Sequence, residues 1–252
     1  MLKDPRLDHI AESSVESCYV YTDLNGVKTN FCGLTKLLAS VCYPTYDYKK
    51  ALGSAPIPKN LKQKTGLSRP WQGQARGRLA HEQVRALVNG GEHARSAVFG
   101  AQRSENADNF IASLDAKQLR PLVAEYIVYS EEARLASGID LLCMTNKQRG
   151  SKLVLIELKN FCNGFEHSND NLKNPPQLRH LSNCPLHQAF LQLAFYRYMI
   201  ATQHPDVEIG SCYVAQETQT YTKFYRLPKE FVDAAPSVAQ YIFEVRLAHL
   251  FT

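Results

Sequence analysis

No two of the seven cysteines (Cys18, Cys32, Cys42, Cys143, Cys162, Cys184 and Cys212) form a C-x-x-C pair, so the chain has no compact cysteine motif for metal or redox chemistry. Cys143 and Cys212 lie in apolar stretches and read as small hydrophobes. There is no secretory apolar segment and no run long enough to span a bilayer. A reduced intracellular compartment is therefore expected, with no membrane partner. Nothing separates cytoplasm, nucleus, mitochondrion or viral replication site. Repeats and low-complexity tracts are also missing, which excludes a solenoid or an array. Acid is scarce in one place: Tyr48 to His81 holds eight Lys or Arg residues and no Asp or Glu. That stretch carries Pro56, Pro58, Pro70 and the single tryptophan, Trp71, so it reads as a basic loop. With a formal charge of +5 over 252 residues, the balance suits a polyanionic partner without proving one. Cations to attract phosphates and an aromatic for stacking are what a single-stranded nucleic-acid groove requires, so Trp71, Arg76 and Arg78 are candidate substrate contacts. The competing reading is a solvated linker.

What is present is a hairpin that gathers charge. Residues 139–145 and 152–158 are apolar runs of strand length, separated by the polar Asn146–Gly150. A turn centred between Gln148 and Arg149 sets Asp140 directly across from Glu157. Alternation then puts Glu157 and Lys159 on one face and Leu158 on the other. Two facing carboxylates repel unless something positive lies between them, and hard oxygen donors suit magnesium or manganese. Lys159 adds a fixed cation beside them. The alternative is a solvated strand end with ordinary charges.

Three further segments bear on the hairpin. In Gly77-Arg-Leu-Ala-His81-Glu82, the apolar Leu79, Val84, Leu87 and Val88 predict an amphipathic helix that stops at Gly90-Gly91, with His81 upon it. Pro121–Ser130 is a β-prone segment whose only charge is Glu125, which faces either the acids or solvent. On the helix that begins near Leu186, Gln188, Gln192 and Tyr196 are spaced four apart and share one face.

The order His81, Asp140, Glu157-x-Lys159, Gln192-x-x-x-Tyr196 resembles the RecB-like exonuclease branch of the PD-(D/E)XK nuclease superfamily. The resemblance implies an α/β, restriction-endonuclease-like α-β-β-β-α-β core, a mixed sheet flanked by helices, over about residues 77–252. Residues 1–50 would be an extension packed on its rim, and 51–76 a basic loop. It implies one or two Mg2+ or Mn2+ ions held by His81, Asp140, Glu157 and the Leu158 carbonyl, with Glu125 near. Asp140, Glu157 and Lys159 would be catalytic, and Gln188, Gln192 and Tyr196 would hold the nucleic-acid backbone. Some members carry an iron–sulfur cluster. Here only Cys162 and Cys184 lie between the Lys159 strand and the Gln192 helix, so none is expected. The implied activity is metal-dependent hydrolysis of DNA at free ends or in single strands. The alternatives are an endonuclease of the same superfamily, on DNA or RNA, and a catalytically silent nucleic-acid-binding module. Protein partners are not legible.

Local patterns predict further elements. Ser17–Thr22 and Val27–Asn30 form a hairpin joined by Asp23-Leu-Asn-Gly26, followed by a helix over 34–41. Ile209–Glu217 and Thr220–Leu227 pair as strands. The tail from Lys229 to His249 is helical and restarts at Pro236. The polar stretch Asn163–Cys184 is either a substrate-gating loop or a plain connection.

Overall fold

A computed structural model describes residues 10–13, 18–22, 25–43, 69–90, 105–146, 150–160, 165–166, 171–173, 176–217 and 221–250. In chain order the elements are β1 (Ile10–Ser13), β2 (Cys18–Thr22), β3 (Lys28–Gly33), α1 (Leu34–Val41), α2 (Arg69–Asn89), α3 (Glu105–Ala116), β4 (Leu119–Ser130), β5 (Leu135–Thr145), β6 (Leu153–Asn160), α4 (Pro185–Gln203), β7 (Tyr213–Glu217), β8 (Thr222–Arg226) and α5 (Lys229–Leu250). From α2 to β7 this is a mixed α/β order that contains the expected α-β-β-β-α-β core, with α3 as an additional helix. The pattern in α3 is weak: among its described side chains, Ala107, Phe110 and Leu114 are the buried ones.

Among the described residues, eight strands form one sheet. β4, β5 and β6 are antiparallel neighbours, β7 joins β6 in parallel, and β8 closes that edge. β3 pairs in parallel with the start of β5, at Leu135 and Ala136, while β6 pairs with Leu141–Met144. One edge of β5 thus forks, with β3 at one end and β6 at the other. The N-terminal strands therefore extend the central sheet. The Asn25-Gly26 turn forms as expected, with Gly26 at φ +78°, a left-handed conformation that glycine adopts without cost.

Two apolar layers sandwich the sheet. On one face α2 and α3 pack Val84, Phe110 and Leu114 against Leu141, Ile156 and Leu158. On the other lies α4, whose Leu193, Ala194, Phe195 and Tyr196 are fully buried. This helix is apolar nearly all round because α5 covers its outer side, with Phe190 and Phe231 rings 5.4 Å apart. β6, buried on both faces from Leu153 to Leu158, reads accordingly as a hydrophobic run interrupted at Glu157.

Two expectations are corrected. Helix α2 begins at Arg69, so Trp71 and Arg76 have helical backbone where a loop was expected. Pro70 sits in the first turn, where its missing N–H costs nothing, and no proline follows it in α2; Gly73 and Gly77 weaken the helix without ending it. The basic residues Lys49–Lys64 lie outside the described residues. Pro236 does not start a new helix but lies inside α5, which is continuous through it.

Candidate functional site

Beyond a register shift between Pro121 and Val123, strand alternation fails at a further rung of the sheet. Ala124 pairs with Leu141 and Tyr126 with Ile139, leaving Glu125 and Asp140 between them. On one side of that rung, Ala124 and Leu141 face the α2 layer. On the other, Tyr126 and Ile139 face the α4 layer, although only one residue intervenes in each strand. Both strands therefore slip their pleat together. Glu125 takes the slip in its backbone, at φ +56°. A left-handed non-glycine residue inside a strand costs about 1–3 kcal/mol and persists only where its surroundings hold it.

The slip sends both carboxylates toward α2. His81 Nδ1 lies 3.3 Å from Asp140 Oδ1 and 3.5 Å from Glu125 Oε1. One ligand atom from each of the three residues falls within 4.8 Å of the others. Leu158 closes the same small pocket. Asp140 also looks the other way: its Oδ2 accepts the Leu158 N–H at 2.6 Å. The last backbone rung between β5 and β6 is Leu141 with Ile156, so this bond replaces the ladder where the strands diverge. That register is the one a turn centred between Gln148 and Arg149 produces; residues 147–149 themselves lie outside the described residues.

Beside this group, Lys159 Nζ donates to Glu157 Oε1 at 2.6 Å. Glu157 is only 2% exposed, and its Oε2 is buried with no hydrogen-bond partner. Glu157 is not in the three-residue ligand group; the charge of Asp140 nonetheless reaches it. Burial, reinforced by Asp140, pushes the Glu157 carboxyl up to about 7 despite the opposing Lys159. Burial works to lower the His81 imidazole, but the hydrogen bonds and charges of Asp140 and Glu125 outweigh it and raise His81 to about 10. Burial would raise Asp140, yet His81, Lys159 and the Leu158 N–H together hold it below the usual carboxylate value. The imidazolium thus supplies the positive charge that lets two carboxylates converge.

The donor set fits a divalent ion. An imidazole nitrogen with carboxylate oxygens suits manganese or magnesium, and the orphaned Glu157 Oε2 is a buried acceptor still in want of a cation or proton.

The other expected site residues fall elsewhere. Tyr196 is wholly buried, so the expected grip on a nucleic-acid backbone is not open to it in this structure. Its hydroxyl meets Ser137 Oγ at 3.1 Å and accepts the Gln192 amide. The Gln-x-x-x-Tyr pair is a strut inside the fold, bracing β5 three residues before Asp140. Gln188 is tied to Asn183 Oδ1 at 2.8 Å, in the loop entering α4. Trp71, Arg76 and Arg78 ride on α2, and their side chains lie outside the described residues.

Ser137, Asn89 and Glu217 escaped the sequence reading. Asn89 directly precedes the expected helix stop at Gly90-Gly91, and nothing local marks its side chain. Glu217 sits on the β7 rung beside Asn160; burial pushes it up to about 7, with His81 opposing.

No protein-family model matches the sequence. No curated protein matches it. The chain does resemble a solved structure. A crystal structure from Eubacterium rectale, named "putative exonuclease", aligns with a TM-score of 0.38 and 12% identity, over 68% of this chain and 67% of that one. Likeness at that level carries no inference about chemistry, and the site stands on its own geometry. Among the described residues, no helix is long and apolar enough to cross a membrane.

Proposed function

We propose that this chain is a divalent-metal-dependent nuclease that hydrolyses DNA phosphodiester bonds, as an exonuclease on free ends or single strands. The observation that supports it is the convergence of His81, Glu125 and Asp140 within 4.8 Å, with the Lys159–Glu157 pair on the neighbouring strand. His81, Glu125 and Asp140 would hold the ion, with Glu157 and the Leu158 carbonyl available beside them. When bound, a Mg2+ or Mn2+ ion supplies charge stabilisation at the phosphoryl group and makes water more acidic. The protein's own part is orientation. Asp140 is fixed at one oxygen by the Leu158 N–H, leaving the other for the ion. Lys159, half-buried and positively charged, orients water and offsets negative charge on the scissile phosphate.

Metal-titrated digestion of end-labelled single strands, duplexes and closed circles tests this. Degradation that needs Mg2+ or Mn2+, starts at ends and disappears in Asp140→Asn is the expected result. Cleavage of closed circles would move the reading to an endonuclease, a choice that matters more because the buried Tyr196 removes one reason to favour ends. Binding without any metal-stimulated degradation would leave a silent nucleic-acid-binding module.

A further inference from the structure

We propose that Asn89 is a positioning residue, which sets the metal affinity of the His81–Glu125–Asp140 group by holding the backbone beside Glu125. The inference rests on the metal reading above. Asn89 is the last residue of α2, the helix that carries His81. Its Nδ2 donates to the Ala124 carbonyl at 2.9 Å, and its Oδ1 accepts the Ala124 N–H at 2.8 Å. A carboxamide presents one donor and one acceptor side by side, as a peptide unit does. Asn89 therefore stands in for a neighbouring strand at the edge of β4 opposite β5. Ala124 lies opposite Leu141 in the sheet register, and both of its own backbone groups turn outward to Asn89.

The next residue is Glu125, at φ +56°. That conformation persists only while its neighbours over-determine it. Freed of it, Glu125 would return to extended geometry, and strand alternation would redirect its carboxylate away from His81. One amide thus joins the helix that bears the imidazole to the strand that bears the carboxylate, and fixes their spacing. Aspartate lacks the donor, alanine lacks both groups, and glutamine reaches one methylene too far.

The test is calorimetric titration of the full chain with Mn2+ as a double-mutant cycle: unaltered chain, Asn89→Ala, Glu125→Gln and the double variant. Asn89→Ala is expected to weaken Mn2+ binding by about tenfold, the lower end for a residue that orients a metal ligand. In the Glu125→Gln background it should add nothing, because Asn89 acts through Glu125. An Asn89→Ala affinity within about twofold of the unaltered chain would overturn the proposal, as would an equal loss in both backgrounds. Should Asn89→Ala melt below the assay temperature, Asn89→Asp, which keeps the acceptor and loses the donor, is titrated in its place with the same outcomes. No Mn2+ binding by the unaltered chain would overturn the metal reading itself and this proposal with it. Normal binding with an indifferent Asn89 would overturn only the role of Asn89.

Discussion

Glu157 and Lys159 form an ion pair that is shut from water at the acid and open to it at the amine, with side-chain exposures of 2% and 33%. Removing the amine should leave the three-residue ligand group in place. Lys159→Ala is expected to lower single-turnover cleavage by at least about 100-fold while changing Mn2+ affinity little; unchanged turnover would remove Lys159 from the chemistry. The titrating groups give a pH dependence with a definite sign. Glu157 and Glu217 rise from 4.5 to about 7 on folding, so each contributes stability that is present below 4.5 and is lost as pH rises through about 7. His81 rises from 6.5 to about 10, so its contribution is full below 6.5 and lost as pH climbs through about 10. Asp140, held low, acts oppositely, and its contribution is lost as pH falls below 3.8 toward its folded value. Thermal melts in chelator should therefore show stability falling from mildly acidic to alkaline pH. His81→Gln should flatten the alkaline part of that curve. A curve that rises across the same range would contradict the imidazolium between two carboxylates. Because that proton must leave before an ion binds, Mn2+ binding should release protons, measurable by calorimetry in buffers of different ionisation enthalpy.

At the scale of elements, α4 is a brace. Tyr196 reaches Ser137 on β5, Gln192 reaches Tyr196, and neither contact requires a nucleic acid. Tyr196→Phe should cost about 1–2 kcal/mol in urea unfolding, through loss of buried hydrogen bonds. Its effect on activity should fall on kcat, with KM for the nucleic acid unchanged. A selective rise in KM would restore the tyrosine as a substrate contact. α5 offers a separate check. Pro236 interrupts the interior of a continuous helix at an exposed position. Pro236→Ala should stabilise the fold by up to about 3 kcal/mol, the cost of a proline in a helix interior. No gain would mean that the proline serves the packing of α5 against α4.

At the scale of the molecule, the basic stretch from Lys49 to Arg78 bears on how a polyanion arrives. Replacing Lys49, Lys50, Lys59, Lys62 and Lys64 with glutamine should weaken binding to all sequences alike. It should also flatten the dependence on salt, the signature of fewer phosphate contacts. A loss confined to particular sequences would point to base recognition. Of that stretch, Arg69, Arg76 and Arg78 belong to α2, the helix that also bears His81 and packs over β4.

Much of the architecture was legible along the chain because it rests on local periods. The apolar runs, the Asn25-Gly26 turn, the helix at Leu34–Val41 and the β5–β6 register as far as Leu141 and Ile156 all follow from alternation and short connections. Alternation alone could not say that Glu125 and Asp140 break it together, since the φ of +56° at Glu125 follows directly on Ala124, which Asn89 binds from thirty-five residues away. Nor could four-residue spacing say whether Tyr196 faces a ligand or Ser137, because a buried face and a binding face share one helical period. The sequence by itself determined which groups lie on which strand and in what register, through interactions between near neighbours. Only the tertiary structure decided which of them meet, because His81, Glu125 and Asp140 are joined by the packing of α2 across the sheet, and no local pattern encodes that contact.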